Sequence, residues 1–173
     1  MATTSDKKIM VVDDEEDVRN YLRTALEDAG FTVTTASDGN EALEKIKHDR
    51  PDLISLDLVM PKHSGIKFYN EIQKSKEFKN IPVLIVTGHA HDELGRVDFE
   101  ELMMSGPGVY LEKPVKPANY VEKICGLLDI PMPENMQRGP EDAESLRTQL
   151  QKSIGNADPE ALQRALDALG KKK

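Results

Sequence analysis

Asp13, Asp14, Asp57, Thr87 and Lys113 each stand at or just after the end of a short apolar run. Gathered in one place, they would form an acidic pocket with one hydroxyl and one ammonium at its rim. Like charges that close repel: a carboxylate pair ~4 Å apart costs about 4 kcal/mol at an effective dielectric of ~20. Lys113 offsets part of that, and a hard divalent cation preferring oxygen ligands offsets the rest. Mg²⁺ fits best, because it keeps waters and bridges to phosphate oxygens. Such a set is suited to phosphoryl transfer, in which a carboxylate attacks phosphorus while cations neutralise the equatorial oxygens. Asp57 stands alone after its run and is the natural nucleophile, whereas the adjacent Asp13 and Asp14 have the character of metal ligands.

The elements that must position these groups are legible as an alternation of β-branched runs and amphipathic stretches from Lys7 to Leu128, the mark of parallel βαβ units. The runs are Ile9–Val12, Phe31–Thr35, Leu53–Leu56, Val83–Val86 and Val109–Leu111. The first, third and fourth are almost wholly apolar, as strands covered on both faces should be, and belong in the middle of the sheet. Val18, Tyr21, Leu22, Ala25 and Leu26 form a helical stripe that stops at Gly30. Similar stripes run over Glu41–Lys47, Ile66–Gln73, Glu93–Met104 and Tyr120–Leu128. Right-handed crossovers then favour an α/β, doubly wound sandwich, in which chemistry collects outside the carboxyl ends of the strands.

Val11-Val12-Asp13-Asp14-Glu15, the stretch Leu56-Asp57-Leu58-Val59-Met60-Pro61 with Gly65, Val86-Thr87-Gly88, and Tyr110-Leu111-Glu112-Lys113-Pro114 together resemble the CheY-like receiver family of response regulators. All four pieces in register are far more specific than any one, and they span a receiver domain over 7–129. The resemblance implies a five-stranded parallel sheet in the order 2-1-3-4-5. It implies that Asp14 ligates Mg²⁺ directly, that Asp13 supports it through water, and that Asp57 and the backbone carbonyl of Val59 complete the protein ligands. Thr87 and Lys113 would each take a phosphoryl oxygen, a cis peptide would precede Pro114, and Tyr110 would turn inward when Thr87 moves. The function so implied is that of a stand-alone response regulator. Asp57 takes a phosphoryl group from a sensor histidine kinase or a phosphotransfer protein, and the change switches contacts with a downstream protein target. Beyond self-phosphotransfer and autodephosphorylation no enzyme activity is expected.

The sequence departs from the family pattern between Thr87 and Lys113, which lie somewhat far apart. Met104-Ser105-Gly106-Pro107-Gly108 there replaces the usual approach to the fifth strand, so the preceding helix is expected to be shifted or irregular. Val59 and His89 occupy positions that, in the family, flank the phosphoryl group. An apolar Val59 would hinder the attacking water and lengthen the life of a phosphoaspartate. His89, His91 and Asp92 are too few for a convincing transition-metal site. After Leu128, the prolines from Ile130 to Pro140 suggest a linker, followed by a helical extension over 141–170 with apolar faces at Ala143, Leu146 and Leu150 and at Leu162, Ala165, Leu166 and Leu169. Too short for its own core, that extension would dock on the receiver, a partner or a second copy, the last giving a homodimer.

A formal net charge of −8 opposes a surface built for nucleic acid, and the tail lacks a recognition helix with a basic approach. Without an apolar run long enough for a membrane span or a signal peptide, the expected location is the cytoplasm. The single cysteine, Cys125, falls in a helical apolar stripe and is read as core. Two other functions compete. Phosphatases of the haloacid-dehalogenase type need a second Asp two residues after the nucleophile, where this chain has Val59. A binding module with the receiver fold, acting without phosphorylation, remains the alternative.

Overall fold

The computed structural model describes residues 2–88 and 109–137. Strands β1 (Lys8–Val12), β2 (Thr32–Ala36), β3 (Leu53–Leu56), β4 (Val83–Thr87) and β5 (Tyr110–Glu112) form one parallel sheet in the order β2-β1-β3-β4-β5. The three central strands are buried along nearly their whole length. Their apolar runs therefore need no polar alternation. Helices α1 (Glu16–Asp28) and α4 (Pro117–Leu128) cover one face of the sheet; α2 (Gly39–His48) and α3 (Ser64–Lys74) cover the other. Ile9, Val11, Leu53, Leu84 and Val86 pack with Leu22, Leu26, Tyr120 and Ile124 on the first face, whereas Met10, Val12, Ile54, Leu56 and Ile85 pack with Ile46, Phe68 and Ile72 on the second. The pleat sends successive residues of each strand to opposite faces, so one short strand feeds both cores.

Strand limits fall within a residue of those read from the apolar runs. Phe31 joins the core ahead of β2, and β5 begins at Tyr110. Gly30 ends α1 with φ at +92°, a conformation that few other residues adopt readily. Tyr21 differs from its place in the apolar stripe, being 47% exposed. Its hydroxyl donates to the Val115 carbonyl at 2.9 Å, so the ring spans from α1 to the loop after β5 instead of entering the core. Cys125 is buried, as expected of a packed thiol.

The proline segment expected to begin a linker lies against the receiver core. Asp129 closes α4 in a left-handed conformation, after which Ile130, Met132 and Met136 pack on the α1 and α4 side. Asn135 donates to the carbonyl of Asp28 at 2.8 Å, so the compact unit runs on to Met136. The prolines stop the helix, and the apolar residues between them anchor the chain. The expected helices over Glu93–Met104 and 141–170, and the departures at His89–Gly108, lie outside the described residues.

The turn that joins β3 to α3 allows almost no extra volume. A Cβ on Gly65 would come within 2.2 Å of the Asp57 carbonyl oxygen and 2.8 Å of the Leu58 Cα. Gly65→Ala is therefore expected to displace the backbone at Asp57 and cost about 1–3 kcal/mol, as overpacking does. A fall in melting temperature would show it; an unchanged melt would mean that the turn relaxes freely.

Candidate phosphoryl-acceptor site

Three of the site residues, Asp13, Asp57 and Lys113, are held by a backbone hydrogen bond one step beyond the end of their strands. The Asp13 N–H donates to the Ala36 carbonyl at 3.1 Å, that of Asp57 to Val12 at 2.9 Å, and that of Lys113 to Thr87 at 3.1 Å. The sheet ladder thus fixes where the side chains start, and sequence outside the strands decides only where they point. The Asp57 carboxylate accepts the Val59 N–H through Oδ1 at 3.0 Å, and that of Asp13 accepts the Glu15 N–H at 2.9 Å. The Lys113–Pro114 peptide is cis.

Asp13, Asp14 and Asp57 each present one oxygen within 4.8 Å of the others. Asp13 and Asp57 are almost fully buried, and Asp14 is exposed. Lys113 Nζ pairs with Asp13 Oδ2 at 2.8 Å, Asp57 Oδ2 at 3.1 Å and Glu15 Oε1 at 3.4 Å. Thr87 is buried at the end of β4, where its hydroxyl donates to the Gly88 carbonyl at 3.3 Å. Tyr110 opens β5 on the exposed side, at 41%.

Burial pushes the Asp57 and Asp13 carboxyls above the usual carboxylate range, because a desolvated charge is disfavoured; Lys113 counteracts this at both. Burial alone would lower Lys113. Its hydrogen bond to Asp13 and the charges of Asp57 and Asp13 outweigh that, so it stays protonated, above the ordinary lysine value. The donor set is all oxygen, with one open, exposed member in Asp14. That is the chemistry a hard divalent ion selects, and its single lysine leaves negative charge to be neutralised.

The chain matches the response regulator receiver domain over residues 9–125. It belongs to the response regulator receiver family. Among curated relatives, this receiver is 38% identical over 122 residues to the alkaline phosphatase synthesis transcriptional regulatory protein PhoP of Bacillus subtilis, covering 70% of this chain and 48% of that one. The chain thus spans about half the length of that relative. The polar-differentiation response regulator DivK of Brucella anthropi is 30% identical over 70% of this chain and 96% of its own. The chemotaxis response regulator CheY4 of Vibrio cholerae superposes with a TM-score of 0.60 at 28% identity, over 70% of this chain and 98% of that one.

The structure brings together the carboxylates and the lysine singled out from the sequence. Thr87 borders them but bonds elsewhere, and Val59 takes part through its N–H. His89, His91 and Asp92 lie outside the described residues. Two participants carried no assigned role in the sequence. Glu15 gives Lys113 a third, exposed partner, and Arg19 donates to the Asp13 carbonyl at 2.8 Å, fixing the turn into α1. The only sequence signal for Arg19 is a cation in the first turns of a helix that begins just after two aspartates.

The folded receiver holds Asp57 above its unfolded pKa, so the ionised group costs stability above the folded value, and the cost is relieved as pH falls toward the unfolded one. Asp57→Asn should therefore raise the melting temperature at neutral pH without divalent ions. Mg²⁺ should stabilise the wild type by about 2.7 kcal/mol at a hundredfold excess over Kd, read as a higher melting temperature, and raise the variant's much less. Equal Mg²⁺ gains in both proteins would count against Asp57 as a ligand.

Proposed function

We propose that this chain acts as the phosphoryl-accepting receiver of a response regulator. Asp57 accepts a phosphoryl group from a histidine kinase or phosphotransfer protein, and the modified receiver changes its contacts with a downstream protein. The observation that carries this reading is the placement of Asp57, buried, beside two further carboxylates and within 3.1 Å of the Lys113 ammonium.

Asp13, Asp14 and Asp57, with the carbonyl of Val59, would hold Mg²⁺. When bound, it supplies charge neutralisation for the phosphoryl oxygens. An Asp57 oxygen attacks phosphorus, and the donor leaves with the electron pair of the broken bond. Lys113 already sits on the Asp57 carboxylate and takes one phosphoryl oxygen. Thr87 gives up its weak bond to the Gly88 carbonyl and donates to another. Tyr110 then moves from its exposed position toward the space near Thr87, reshaping the surface around β5. Hydrolysis by water returns the free carboxylate, and Val59 beside the acceptor slows that water's approach. The chain works in the cytoplasm through protein contacts, and its C-terminal extension serves docking or self-association.

Intact mass after incubation with acetyl phosphate and Mg²⁺ tests the acceptor. A phosphate-sized gain in the wild type and none in Asp57→Asn is expected; light scattering on the same samples reads any change of oligomeric state. No gain at any Mg²⁺ concentration favours a phosphorylation-independent binding module. Val59→Asn is expected to shorten the lifetime of the modified form, followed by loss of the added mass over time. A lifetime equal to or longer than that of the wild type would remove Val59 from the hydrolysis argument.

A further inference from the structure

Lys113 ends among three carboxylates and not two: Asp13 Oδ2 lies 2.8 Å from its Nζ, Asp57 Oδ2 3.1 Å and Glu15 Oε1 3.4 Å. An ammonium has three N–H donors, so an arriving phosphoryl oxygen is a fourth acceptor, and one of the three must give way.

The three are not equally able to leave. The side chains of Asp13 and Asp57 are 1% and 4% exposed, and either of them parted from Lys113 would be left as an uncompensated buried charge. Asp57 also carries the incoming group. Glu15 is 63% exposed, makes the longest of the three contacts, and can exchange the lysine for water, as exposed ion pairs do at little cost. Its backbone needs no adjustment. The Glu15 N–H donates to Asp13 at 2.9 Å and its carbonyl accepts the Arg19 N–H at 2.9 Å, so only the side-chain rotamer changes. Glu15 and Lys113 line one open hollow with Gly88 and Pro114, which leaves room for the carboxylate to swing aside.

We propose that Glu15 is a positioning residue for Lys113 that acts as a placeholder: it occupies the ammonium at rest and yields it to a phosphoryl oxygen as Asp57 is modified. This rests on the reading of Asp57 as phosphoryl acceptor. With acetyl phosphate as donor, an Asp57 oxygen forms the new bond to phosphorus, the bond from phosphorus to the acetyl oxygen breaks, and acetate leaves with its electron pair. Lys113 serves the phosphoryl oxygens in that step only once Glu15 has released it. The Glu15 carboxylate therefore competes with the reaction, and breaking its contact brings a gain in rate.

The test is the rate of mass gain with acetyl phosphate at saturating Mg²⁺, on the full chain, for wild type, Glu15→Gln and Glu15→Asp, with a melting curve for each. Glu15→Gln removes the charge. Glu15→Asp keeps it but is one methylene shorter, too short to hold a contact that already spans 3.4 Å. Both are expected to be modified about threefold faster than wild type, the size of one ion pair in water, with melting temperatures no lower. A faster Glu15→Gln beside a Glu15→Asp equal to wild type would mean that only charge at the mouth of the site matters, and overturns the placeholder role. A crystal structure with Mg²⁺ and beryllofluoride, which adds to a carboxylate in place of a phosphoryl group, reads the exchange directly. Lys113 Nζ is expected on a fluorine, still beside Asp13 and out of hydrogen-bond reach of Glu15; a lysine still on Glu15 overturns the inference. A wild type that gains no mass overturns the acceptor reading itself, whereas a wild type that gains it, with neither variant faster, overturns this inference alone.

Discussion

Asp13 and Asp57 are withdrawn from water within reach of a single ammonium, Lys113. Each carboxylate is disfavoured in its charged form by burial, and each is made tolerable by the same lysine. One positive charge shared between two buried negatives, with a third at 4.8 Å or less, leaves a deficit that the protein does not neutralise among the described residues. The local backbone is arranged so that this deficit persists and does not relax. The Glu15 and Val59 N–H groups each fix one carboxylate oxygen, and Arg19 holds the Asp13 carbonyl. A site held this way is primed for a cation, because its charge relieves a cost already present in the fold.

The rest of the fold supplies rigidity at that edge. Three inter-strand hydrogen bonds continue the sheet by one residue at Asp13, Asp57 and Lys113. Behind Asp57, the closeness of α3 requires a glycine at 65, which keeps helix and acceptor loop in direct backbone contact. Apolar clusters on both faces then lock the central strands, so the loops are positioned by buried β1, β3 and β4 and not by their own short sequences.

What could be read from the sequence follows from this division. Strands buried on both faces announce themselves as unbroken apolar runs, and reactive residues at their carboxyl ends are forced together by parallel topology. The five strands and the reactive residues at their ends were accordingly legible, whereas the strand order that makes Asp13, Asp14, Asp57 and Lys113 converge came from the family resemblance. Contacts between residues far apart in sequence, on surfaces with no periodic signal, were not. Tyr21 looked like one more apolar residue in a stripe, yet its hydroxyl binds the Val115 carbonyl. Ile130, Met132 and Met136 sat among prolines that read as a linker, and nothing in their spacing told that they face α1 and α4. Thr87 was placed correctly at a strand end, while its bond to Gly88 depends on a rotamer that no pattern specifies.

Lys113 also links the site to the surface by a short covalent path. Its N–H is bound to the Thr87 carbonyl, its ammonium to the carboxylates, and two residues on the Val115 carbonyl receives the hydroxyl of Tyr21 on α1. Val115 itself is packed with Tyr120, Val121 and Ile124 in the core under α4. A close-packed interior does not deform continuously, so a shift of the lysine head must be absorbed either by its flexible stem or by this loop. The stem is only 17% exposed and is held by two buried acceptors, which limits the first route. The β5–α4 loop is therefore tied at once to the site through Lys113, to α1 through Tyr21 and to the core under α4 through Val115.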